Sequence, residues 1–60
     1  MMLSFKCANG VFFVDYGQIL YAYPVSETEI FMVFKNDNIS VSIEFDDKEQ
    51  KEEAEKMLTF

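Results

Sequence analysis

The densest group of chemically able side chains in this sequence is acidic. Asp46, Asp47, Glu49, Glu52, Glu53 and Glu55 fall within ten consecutive residues. Carboxylates gathered in this way can hold a divalent cation, or can imitate the charge of nucleic acid and block a protein that binds it. Cation loops of the EF-hand kind need oxygen ligands at alternate positions around an invariant glycine, and that spacing is absent. Lys48, Lys51 and Lys56 interleave with the acids, so the plainer reading is a solvated helix face.

The other reactive residue types are few. Histidine is absent, which removes the commonest general acid–base group at neutral pH. A serine nucleophile needs a base beside it, and Ser40 and Ser42 alternate with apolar residues without one. Cys7 would need cationic neighbours and exposure to be reactive. Lys6 is adjacent, but strand alternation points it to the opposite face. Cys7 instead shares the parity of Leu3 and Phe5, the setting of a small buried hydrophobe. A single cysteine allows no internal disulfide, and without histidine it cannot complete a zinc site of about four N or S ligands. These residues predict no catalytic group, no metal, no cofactor and no small-molecule substrate.

Charge narrows the partners. Eleven acids against five lysines give a net charge of −6, and arginine is absent. Nucleic-acid binding depends on Lys and Arg that displace counterions from phosphates, so direct nucleic-acid binding is not expected. The same argument disfavours anionic membrane surfaces. No apolar stretch approaches the roughly 20 residues of a membrane-spanning helix, and no signal-peptide pattern is visible. With a free thiol, the expected location is the cytoplasm.

The elements that must position these groups follow from periodicity. Alternation over residues 3–7 is that of a half-buried strand. Asn9-Gly10 is a strong hairpin signal, with the return strand at 11–14. A turn around Gly17 precedes a third strand at 19–23, which Pro24 is expected to end. The fourth strand, 30–34, is apolar throughout, as strands covered on both faces are. A turn over 35–38 leads to a fifth strand at 39–45, with Ile39, Val41, Ile43 and Phe45 inward and Ser40, Ser42 and Glu44 outward.

The pattern changes at Asp46. Asp46 or Asp47 can cap a helix over 47–58, with Glu49 or Gln50 completing a capping box. Lys48–Glu52, Lys51–Glu55 and Glu52–Lys56 stand at supporting i,i+4 spacing. The apolar stripe of this helix is thin: Ala54, Met57 and Leu58, with Phe60 beyond. The expected fold is α+β: one domain over 1–60, a curled antiparallel meander of about five strands with the C-terminal helix packed on it.

A thin helix cannot cover both sides of such a sheet. Strand four is apolar on both faces, and strand three divides into Leu20 and Ala22 on one side and Ile19, Tyr21 and Tyr23 on the other. The second side is sealed by closure into a small barrel or by association with a copy of the chain or another protein. Tyr21, Tyr23, Phe31 and Val33 are the candidate partner interface, since tyrosine is enriched at interfaces.

The segment Val14-Asp15-Tyr16-Gly17-Gln18-Ile19-Leu20-Tyr21-Ala22, with the run 30–34 and Asn36-Asp37-Asn38, resembles the opening half of LytTR-type DNA-binding domains. Those carry an acidic or Asn residue before an Ile-Leu-Tyr strand, then an apolar strand and a polar turn. The resemblance implies a nucleic-acid-associated domain, but this chain is shorter than the full domain and lacks its basic residues. The strand–turn–strand plan is also similar to small flagellar accessory proteins of the FlbD/SwrD kind and to pleckstrin-homology-like sheets capped by one helix. The function expected from the residues is non-catalytic protein–protein interaction, as a regulatory or accessory protein that pairs with itself as a homodimer. The alternative is an acidic phage-type inhibitor that mimics nucleic acid.

Overall fold

The computed structural model describes residues 1–36 and 39–58. Alternation at the start of the chain folds β1 (Met2–Cys7) against β2 (Gly10–Asp15) as an antiparallel hairpin. Leu3 faces Val14 and Phe5 faces Phe12 across it, and the rings of Phe5 and Phe12 stack at 5.4 Å. The turn sits one residue earlier than Asn9-Gly10 predicts. Cys7 pairs with Gly10, which leaves Ala8 and Asn9 as the two-residue loop. Gly10 opens β2 with φ at +122°, a backbone angle that disfavours a side chain.

Asp15 then ends the hairpin. Its Oδ1 accepts the Gly17 N–H at 3.1 Å and caps a single 3-10 turn, Tyr16–Gln18. The turn redirects the chain, so β2 forms no ladder with the strand after it. Three further strands form a separate sheet in the order β3-β4-β5: β3 (Ile19–Ser26), β4 (Glu29–Phe34) and β5 (Ser40–Glu44). Among the described residues the fold is α+β with five antiparallel strands, as the sequence indicates, divided into sheets of two and three. It is not a closed barrel. The sheets meet where the Ala8 N–H donates to the Glu44 carbonyl at 2.8 Å.

Pro24 does not end β3. The strand runs on to Ser26, because β3 is an edge strand and a proline there need not cost a ladder bond. Two register shifts against β4 leave Leu20 and Val25 without a facing residue. The first shift overturns the facing expected for this strand. Ile19 now packs against the core with Ala22, while Leu20 is exposed. An extra residue reverses the alternation beyond it.

In β5, Ile43 is buried and Val41 half-buried, as the alternation predicts, and Phe45 is buried just beyond the strand. Ile39 is exposed instead. It precedes the strand, at the end of the loop from β4, and its carbonyl accepts the Phe34 N–H at 2.8 Å. Asp37 and Asn38 of the predicted turn lie outside the described residues, as does Phe60.

The helix α1 (Lys48–Met57) packs against β1. Asp47 is the cap: its Oδ1 accepts the Gln50 N–H at 2.8 Å, and the Gln50 side chain accepts the Asp46 N–H at 2.8 Å. The buried stripe is Lys51, Ala54 and Leu58. Met57, expected in it, is exposed, because spacings of three and four from Lys51 carry the stripe past it. Lys51 is only 8% exposed; its stem lies in the stripe and its ammonium reaches Glu55 at 3.4 Å, the packing expected of a long amphipathic side chain. Both sheets and the helix turn their inner faces to one core, with Ile30 and Met32 fully buried. Among the described residues no helix is long and apolar enough to cross a membrane.

Candidate functional site

The ladder of the three-stranded sheet sorts its outer face into rows. Tyr21, Val33 and Ser40 form one row; Tyr23, Phe31 and Ser42 form the next. Glu29 follows, between Ser26 and Glu44. The four sequence-nominated interface residues, Tyr21, Tyr23, Phe31 and Val33, thus share one surface. The bulge at Leu20 is what turns Tyr21 outward while Ile19 stays with the core.

The rings on this face touch. Tyr21 and Tyr23 stack with centroids 6.2 Å apart and planes 11° from parallel. Tyr23 leans on Phe31 at 5.6 Å, tilted by 48°. Val33 is buried beside them, so it offers a partner little surface, whereas Tyr21 and Tyr23 remain 52% and 49% exposed. A cleft of about 280 Å³ opens beside the β3 edge, where Leu20, Tyr21 and Lys35 meet Ile19, Ala22 and Leu58 of the core side, so it is not part of the aromatic face. Aromatic rings held by neighbours but open to solvent offer contact area at low entropic cost.

Glu29 and Glu44 stand directly opposite each other across the β4–β5 ladder. Like charges in that relation destabilise a sheet. Among the described residues neither carboxylate forms an ion pair. Sequence reasoning missed this pair, because only the register brings the two residues together.

The six acids around the helix do not form one uniform face. Asp47 is committed to the helix cap. Glu55 is held by Lys51, and Glu53 by Lys56 at 3.6 Å. Of the expected i,i+4 pairs only Lys51–Glu55 forms; Lys56 takes Glu53 in place of Glu52. Glu49, Glu52 and Glu53 border a shallow depression with Asp47, Gln50 and Lys56, while Asp46 lies outside it. Cys7 is half-buried and packs against the core, as its parity predicts.

Asp15 is held by two donors away from the aromatic face. The Gly17 N–H and the Met1 α-ammonium, 3.2 Å away, hold its carboxyl below the usual carboxylate range. This residue orients the entry to β3 and is not part of the exposed face. Compared with known proteins, the chain matches no family model, no curated protein and no solved structure.

Proposed function

We propose that this chain is a non-catalytic protein–protein interaction module that pairs with a second copy of itself through the outer face of β3, β4 and β5. The observation that carries the reading is the ring row Tyr21–Tyr23–Phe31, ordered by mutual contact, with both tyrosines about half open to water and Phe31 partly so. Covering such a row removes apolar area from water at about 25 cal/mol per Å². A regulatory or accessory role suits a chain whose conspicuous surface is adhesive, and the cytoplasm suits its single free thiol. The acidic-inhibitor alternative has less support, because three of its six carboxylates are already engaged by the cap and the lysines.

Sedimentation equilibrium over a micromolar-to-millimolar series tests the proposal. The wild-type chain is expected to pass from monomer to dimer, and a Tyr23→Ser/Phe31→Ser variant to stay monomeric with its circular dichroism unchanged. A wild-type chain monomeric throughout, or a double variant that dimerises equally well, overturns it.

A further inference from the structure

We infer that two copies meet face to face with their strands antiparallel, so that Lys35 of each copy lies over Glu29 and Glu44 of the other; this rests on the self-pairing reading above. The rows of the outer face carry the inference. Lys35 follows β4 directly, one step beyond the Tyr21–Val33–Ser40 row, and is tied there by its N–H to the Gln18 carbonyl at 2.9 Å. The Glu29–Glu44 pair closes the opposite end. Continued alternation from β4 assigns Lys35 to the side of Phe31 and Val33, so among the described residues the face is positive at one end, negative at the other and aromatic between.

Only one of the two simple face-to-face arrangements satisfies that polarity. A two-fold axis along the strands would set Lys35 against Lys35 and the glutamates against glutamates. A two-fold axis across the strands, passing between Phe31 and Val33, sets each end over its opposite. It also lays the Tyr21 row of one copy on the Tyr23 row of the other. Such an interface is self-complementary, as a two-fold contact must be. The unpaired Glu29 and Glu44 gain a cation, and their mutual repulsion is offset.

The free edge of β3 is a poorer site for a second copy. Strand addition needs a continuous row of backbone donors. Pro24 lacks its N–H, and the register shifts at Leu20 and Val25 break the row on either side.

Size sets the strength. At a strand spacing of about 4.8 Å and a rise of about 3.4 Å per residue the face spans roughly 14 by 20 Å. Pairing two such faces falls in the small class, below about 1,200 Å² in total, where contacts are transient. The dimer is accordingly expected at micromolar affinity or weaker.

Charge reversal tests the arrangement. Lys35→Glu alone, and Glu29→Lys/Glu44→Lys alone, should each weaken self-pairing at least tenfold; mixed together, the two variants should recover a one-to-one heterodimer in native mass spectrometry. In the unmodified protein, zero-length carbodiimide coupling should join Lys35 to Glu29 or Glu44. Within one copy Lys35 and Glu29 are about 20 Å apart along β4, so that product must link two copies. If the charge variants pair as tightly as wild type while Tyr23→Ser/Phe31→Ser does not, self-pairing through the face stands and the antiparallel arrangement is overturned. If mixing restores nothing and no cross-link forms, it is overturned as well. A wild-type chain that never pairs removes the self-pairing reading itself.

Discussion

Ile30 and Phe31 are neighbours on β4, and Ile30 is sealed from water while Phe31 sits in a row of partly exposed rings. Met32 and Val33 divide by side but not by exposure: both are buried, Met32 in the core cluster and Val33 on the outer face. The inner side shares its core with the β1–β2 hairpin and α1. The outer side keeps Tyr21 and Tyr23 about half exposed. A strand that is apolar on both sides needs two coverings, and this chain supplies one in full. The difference between the faces is therefore a difference of role: one holds the fold together, and the other is free to hold something else.

The largest effect that can break this comparison lies on the inner side. Ile30→Ala should cost about 2–5 kcal/mol, a large part of the stability of so small a domain, and a urea titration would show its midpoint lowered in proportion. A loss below about 1 kcal/mol would erase the distinction between the faces. Tyr23→Ser on the outer side should cost about 1–3 kcal/mol of folding stability, the scale of its two aromatic contacts, while self-pairing drops sharply in sedimentation.

Smaller changes sharpen the contrast. Glu44→Lys should stabilise the dilute monomer by about 0.2–1 kcal/mol, since it turns a like-charge cross-strand pair into an opposite one; thermal melts at low concentration would record it. Asp15, away from both faces, gives the smallest expected effect. Its folded carboxyl is held below its unfolded value, so its contribution is present above the ordinary Asp value of about 3.9 and is lost as pH falls through the lower, folded value. Asp15→Asn should remove that part of the acid sensitivity of the melting temperature.

Strand periods, the hairpin and the capped helix were legible in the sequence because each depends on neighbours a few residues apart. Asp47 and Gln50 stand three apart at a helix start, and Leu3, Phe5 and Cys7 alternate without interruption. The interface residues were legible in kind, as more apolar surface than one thin helix can cover. Their grouping was not. Ile19 and Tyr21 stand two apart, and simple alternation assigns them one face. The extra residue Leu20 separates them, and nothing in the local pattern marks it as extra.

Lys51 shows the same boundary from the other side. Its spacing from Ala54 and Leu58 sets it on the buried stripe, but its charge argues for solvent, and only the packed helix decides between them. The sequence by itself determined the class of fold, the scarcity of catalytic residue types and the excess of apolar surface on the third and fourth strands. Tertiary structure alone decided that the meander splits into two sheets after Asp15, that the aromatic rings line up on one open face, and that Glu29 and Glu44 meet at its end. Periodicity is a property of a single segment, whereas register and facing arise only when segments are laid against one another.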